Sequence, residues 1–264
     1  MNARRLTRAL AARAWAQQGR QALAVPAAAA VGIVLLLLVL PRMFPGAVHG
    51  SVPLPTSGAV RIGDGHGSAA DAAMATALLA APELLAIGAA LISLSVSRSI
   101  LGQDVSGGVV EGLLATSLRP GAIFFGYVSA TFAFSLLAWA VLAGAYLGLA
   151  TAVVVIGGSA VHMTGEYVAT ALLIPLGAML WATSLIAFVA FVHPSWLKVT
   201  AGLNGGPVRL AGILPALAAT IFTTVKPGAY RVFTWSYAGG CICAALLLMA
   251  ALAALFNRER LLDS

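Results

Sequence analysis

The chain has 264 residues, of which 61% are hydrophobic and 9% charged, with a mean hydropathy of +0.98. A soluble domain is about half apolar and about a quarter charged, so a surface solvated mainly by water is excluded. The whole chain, 1–264, fits a single transmembrane domain built as one helical bundle. The net charge of +7, from 15 Lys and Arg against 8 Asp and Glu, would suit nucleic acid if the protein were soluble. Here the basic residues stand at the ends of apolar segments, where lipid headgroups and the cytoplasmic bias of Lys and Arg account for them, so nucleic acid is set aside as a partner.

Residues 1–21 carry Arg4, Arg5, Arg8, Arg13 and Arg20 among alanines, with Leu6, Leu10 and Trp15 near helical spacing. That is the pattern of a basic amphipathic helix on the cytoplasmic membrane surface. Ala22 to Leu40 carries no charge and is long enough for a first span, since about 20 residues cross a hydrocarbon core of about 30 Å. A cleaved signal peptide would have a shorter apolar region and a small-residue cleavage site after it. Pro41 to Asp71 is rich in Pro, Gly and Ser and reads as an external loop. A second span covers Ala72 to Val96, with Arg98 at its cytoplasmic end.

Ser97 to Pro120 holds Asp104, Glu111, four glycines and Arg119, with apolar Val109, Val110, Leu113 and Leu114. It predicts a short amphipathic helix at the cytoplasmic surface. Gly121 to Ile156 has neither charge nor proline; at about 54 Å as a helix it is either one long element projecting from the membrane or two short spans. Further spans fall near Tyr167 to Phe191, Pro207 to Thr223 and Trp235 to Phe256, before a charged tail with Arg258, Glu259, Arg260 and Asp263. Six spans place 11 basic residues inside and 4 outside, whereas splitting the long segment gives 9 and 6. The positive-inside rule favours six spans with both termini cytoplasmic.

Several residues invite chemistry. Glu83 lies 15 positions before Arg98, about 22 Å along a regular helix; an acid at that depth is either a candidate for a translocation path or part of a helix start at Pro82-Glu83. Cys241 and Cys243 are two apart in an apolar segment, so they point to different faces and read as small core residues without a metal. Gly144 and Gly148 permit close helix packing, read as internal in preference to a dimer contact. Trp139, Tyr146, Tyr167, Trp181, Trp196 and Trp235 read as interfacial anchors or core.

The run from Asp104 to Ile123 reads Asp-Val-Ser-Gly-Gly-Val-Val-Glu-Gly-Leu-Leu-Ala-Thr-Ser-Leu-Arg-Pro-Gly-Ala-Ile. It resembles the segment before the third span of type-2 ABC exporter permeases, an acidic residue followed by Gly-Thr-Leu-Glu-x-Leu-Leu-x-Thr-Pro-Leu-Ser. Gly108, Glu111, Leu113, Leu114, Thr116, Leu118 and Ile123 fall on matching positions, and Asp104 stands where the family usually has Glu; Val109, Val110 and Ser117 depart from it. The resemblance implies an all-α permease of six spans, with an N-terminal interfacial helix over 1–21 and a cytoplasmic coupling helix within 97–120. It implies that this helix rests in a groove of a separate ABC ATPase subunit, which binds ATP and Mg, and that a second permease copy or homologue completes the pathway in the cell membrane. Asp104 and Glu111 would then meet basic residues of the ATPase or of the N-terminal helix, Val110, Leu113 and Leu114 would fill the groove, and Gly108 would belong to the same ATPase-coupling set.

Each lysine is preceded by Leu197 or Val225, so the chain has no Gly-Lys pair of a phosphate-binding loop and no ATPase site or cofactor of its own is expected. Two other classes compete with export. Gly157-Gly158-Ser159-Ala160 with His162 nearby outlines an intramembrane serine protease, although the glycines more simply end a helix. A non-transporting assembly or immunity subunit would share the same fold.

Overall fold

In a computed structural model, residues 3–43, 52–54, 60–63, 66–115, 120–193, 206–225 and 230–255 are described. The expectations for Thr116 to Arg119, Trp196, Lys198, Lys226 and the charged tail lie outside these residues, as does the side chain of Leu114.

Helix α1, Ala3–Met43, is one element of 41 residues. The surface helix anticipated over 1–21 and the first span are therefore continuous, since no residue before Pro26 breaks the helical pattern. The connection between α1 and the next helix contributes strands β1 (Val52–Pro53), β2 (Val60–Ile62) and β3 (His66–Gly67). Helix α2, Ala69–Leu79, is followed by α3, Ala81–Ser97, a π-helical turn at Arg98–Gly102, then α4, Gln103–Ser106, and α5, Val109–Leu114. Helix α6, Pro120–Ile156, is a single run of 37 residues, about 55 Å long, so the long apolar segment is one helix rather than two spans. Strand β4 (Val161–Met163), α7 (Gly165–Val192), α8 (Pro207–Val225) and α9 (Tyr230–Leu255) complete the chain.

Five segments are long and apolar enough to cross a membrane: Gly19–Val39, Ala81–Val105, Gly121–Ile156, Gly165–Val192 and Val232–Leu252. The protein is a multi-pass helical membrane protein. The fold is all-α, as expected, and among the described residues four strands of two or three residues are added in the connections outside the bundle. β1 pairs with β3, and β2 pairs antiparallel with β4 in the register Val60↔Met163 and Ile62↔Val161. This second ladder fixes the loop after α1 and the C-terminal end of α6 at the same end of the molecule.

That end is closed by two helix caps. Ser68 and Asp71 form a capping box on α2, with Asp71 Oδ2 accepting from the Ser68 N–H at 2.9 Å and the Ser68 hydroxyl accepting from the Asp71 N–H at 3.2 Å. Helix α6 ends in a Schellman turn, where the Ser159 N–H donates to the Val154 carbonyl and the Gly158 N–H to that of Val155. Gly158 takes φ +87, a left-handed value that other residues resist. The glycine pair thus ends a helix, with Ser159 in its turn and His162 exposed opposite Arg61 in the β2–β4 ladder.

Helices α1 and α6 run parallel. Leu6 lies over Gly126, Thr7 Oγ1 is 3.3 Å from Ser129 Oγ, and the Trp15 and Phe134 rings meet edge to face at 6.3 Å. One apolar cluster joins Leu6, Leu10, Leu101, Ile123, Tyr127, Phe191 and Leu252, so the start of α1 and the far end of α9 share one end of the bundle. A second cluster fills the opposite half with Val34, Ile62, Met74, Leu85, Trp139, Tyr146 and Tyr167.

Prolines inside the spans explain several polar contacts. Pro82 has no N–H to give the Leu78 carbonyl four residues earlier, and the Tyr167 hydroxyl donates to that carbonyl instead, while Tyr146 donates to Ala77 at 2.9 Å. Pro215 likewise frees Ala211, whose carbonyl accepts from the Trp181 indole at 2.9 Å. In hydrocarbon a backbone carbonyl must find a partner within the protein, and these aromatics supply it. Trp181 and both tyrosines are therefore structural donors as well as core residues.

Candidate functional site

The segment Ser97 to Leu114 lies at the end of the bundle that carries the start of α1. The π-helical turn keeps α3 helical through Ser106, so the span passes without a loop into the expected coupling segment. Gly107 and Gly108 then bend the chain; Gly108 adopts φ +70, which glycine takes without strain, and α5 starts from it.

Asp104 and Glu111 have opposite surroundings. Asp104 is buried, accepts from the Tyr127 hydroxyl at 2.8 Å and pairs with the Arg13 guanidinium at 2.6 Å. A buried carboxylate needs this compensation, and its two partners come from α6 and α1. Three helices are therefore tied at one group, and of the two partners foreseen for Asp104 the structure provides the basic N-terminal helix. Glu111 is exposed, beside exposed Val109 and Gly112.

Val110 is 1% exposed and Leu113 packs against the same interior cluster. This corrects the expectation that these two side chains fill a partner's groove: in an amphipathic helix of six residues the apolar face is the one that anchors it to its own bundle. The surface left for a partner is Val109, Glu111, Gly112 and Ala115.

Glu83 lies far from this segment, in the first turn of α3, just past the break at Ala80. There the positive end of the helix dipole favours a carboxylate. Its Oε2 is enclosed and makes no hydrogen bond among the described residues. Asp104 and Glu111 are thus brought to one end of the bundle, and Glu83 is not among them.

The cysteines separate as their spacing requires: Cys241 is buried against Gly177 and Cys243 is exposed. No group of three or more His, Cys, Asp or Glu among the described residues could hold a metal ion. Gly144 and Gly148 have open space where a side chain would project, so they lie on the outer face of α6 rather than in internal packing.

No protein-family model, curated protein or solved structure matches the chain. The sequence missed Arg13 and Tyr127 as members of this site. Their signal was available only as a basic residue on an amphipathic helix and a tyrosine close behind a helix start, patterns shared with many unrelated segments.

Proposed function

We propose that the chain is the membrane-spanning permease subunit of an ABC exporter. It forms the substrate pathway with a second copy or homologue and couples to a separate ATPase subunit that binds ATP and Mg. In this reading it makes six crossings of the cell membrane, with α8 the shortest, and both termini and α5 are cytoplasmic. The observation that carries it is the exposed Glu111 on α5, a helix that bears the permease-like run and is anchored through Val110 and Leu113. Arg8, Arg13, Arg98 and Arg209 collect at the same end as α5, which agrees with a cytoplasmic assignment.

A force applied at Glu111 would pass along two routes. One runs back through α4 and the π-helical turn into α3, and the other crosses Asp104 to Arg13 on α1 and Tyr127 on α6. Coupling requires stiff, contiguous elements shared by two arrangements, and the buried charge resists loosening the tie. The permease performs no covalent chemistry, and Glu83, toward the opposite end, is a candidate wall of the pathway.

The test is purification of a tagged chain from its native membrane in mild detergent. Recovery of a polypeptide with a phosphate-binding loop, together with ATP hydrolysis lost in Glu111→Lys, supports the reading. Recovery of the intact chain with no nucleotide hydrolase, under conditions that preserve its other partners, sinks it.

A further inference from the structure

A cleft of about 510 Å³ opens between α1 and α8, a volume within the range of about 300–1,000 Å³ that encloses most of a small organic ligand. It exists because α1 rests on α6, whereas α8 rests on α7 and α3. These two helices form its banks, and α3 is the floor between them. Gly212 lets α8 settle on that floor: a Cβ there would be 2.6 Å from Leu94 Cδ2. Val25, Leu91, Ile92 and Leu94 give the cleft a mainly apolar surface.

The charged groups at the cleft have no need of a ligand. Arg98 already has a partner within the protein, Arg209 is exposed, and no Asp or Glu stands among the described residues that line it. The neutral polar groups differ. Gln21 and Ser95 are exposed, make no side-chain hydrogen bond among the described residues, and meet the cleft from its α1 bank and its α3 floor. Pro26 lacks the N–H that would have served the carbonyl of Ala22, four residues earlier. The carbonyls that Pro82 and Pro215 release at Leu78 and Ala211 are taken up by Tyr167 and Trp181. No side chain among the described residues donates to Ala22, and both Ala22 and Pro26 line the cleft.

The lining therefore asks for a hydrogen-bond donor on an apolar body, and it asks for no charge. Water would serve the polar groups and leave the apolar walls wet. A pure hydrocarbon would fill the walls and seal the Ala22 carbonyl away from any donor. A carboxylate brought in from the membrane would need a cation to replace its water, and the cleft has none to spare. We propose that this cleft binds a neutral apolar molecule that carries a hydroxyl or amide donor. Its head donates to the Ala22 carbonyl and pairs with Gln21 and Ser95, and its body lies along Leu91 and Leu94. The site stands on its own lining and depends on neither an ATPase partner nor transport.

The test uses the full-length chain in phosphatidylcholine nanodiscs, with a diazirine-bearing octanol as photoprobe and the labelled peptides mapped by mass spectrometry. Labelling should saturate on the α1 and α3 peptides. At equal mole fraction in the bilayer, n-octanol should displace the probe, and n-octane and octanoate should do so more weakly. Pro26→Ala gives the Ala22 carbonyl a helical donor and should weaken n-octanol about fivefold, the loss of one neutral hydrogen bond; Gln21→Leu should do the same. Ala22→Trp fills the cleft and should abolish labelling, whereas Thr76→Ala, at an exposed hydroxyl on α2, should change nothing. If Ala22→Trp does not fold, Pro26→Ala still gives the reading, because it places a better helix former inside α1. Labelling that does not saturate or is confined to other helices, equal displacement by n-octane, stronger displacement by octanoate, or unchanged n-octanol binding in both Pro26→Ala and Gln21→Leu would each overturn the proposal.

Discussion

Removing Arg13 should harm the fold more than neutralising the acid it pairs with. The Asp104 side chain is 3% exposed and that of Arg13 is 43% exposed. Arg13→Met keeps the length of the stem but leaves a carboxylate with only the Tyr127 hydroxyl. Breaking a fully buried pair from one side costs about 3–5 kcal/mol; with the Arg13 position open to solvent, water can reach the abandoned charge, and about 2 kcal/mol is a fitting estimate. Asp104→Asn is milder, because the amide oxygen still accepts from Tyr127 and the freed guanidinium can turn to water, a loss of about 0.5–1 kcal/mol. The double variant should then be more stable than Arg13→Met alone, since it contains no abandoned charge. Unfolding by sodium dodecyl sulfate titration in mixed micelles, followed by far-UV circular dichroism and tryptophan fluorescence, measures all four proteins of the cycle. A double variant no more stable than Arg13→Met, or single variants within about 0.3 kcal/mol of each other, would refute the reasoning.

Other consequences can be measured with the same preparation. Tyr167→Phe and Trp181→Phe each strip the donor from a carbonyl released by a proline, and each should cost about 0.6–1.7 kcal/mol in the same titration. Gly212→Leu drives a side chain into Leu94 across the α3–α8 contact and should destabilise by about 1–3 kcal/mol, whereas Gly144→Leu on the open face of α6 should change stability by less than about 0.5 kcal/mol. Cysteines placed at Glu111 and at His162, both exposed, should react with a membrane-impermeant maleimide from opposite faces of sealed vesicles.

Much of this architecture is legible in the sequence because apolar length is a strong signal. The span at Tyr167 to Phe191 sits inside α7, the one expected from Trp235 coincides with α9 as far as Leu255, and the charge-free run from Gly121 gives α6. What was hidden depends on contacts between distant parts of the chain. Pro82 announces a free carbonyl at Leu78, but nothing in the sequence says that Tyr167 will cap it. Residues 60–62 carry no long β pattern, and their ladder exists only because α6 delivers Val161 to Met163 alongside. In the segment from Ser97 to Pro120 the amphipathic pattern located a helix where α5 lies, but the expectation that Val110 and Leu113 fill a partner's groove turned its apolar face the wrong way. The burial of Val110 settles that orientation. For Asp104 the family resemblance implied the N-terminal helix as one of two candidate partners, and Arg13 of α1 pairs with it.

The most direct measurement is photo-cross-linking from position 111 in native membranes. A benzophenone amino acid replacing Glu111 should capture a single partner that hydrolyses ATP, and the same probe at His162, at the opposite end of the bundle, should capture none of it. Capture of that hydrolase from position 162, or from neither position while it remains bound to the purified chain, would contradict the assignment of α5 as the coupling element.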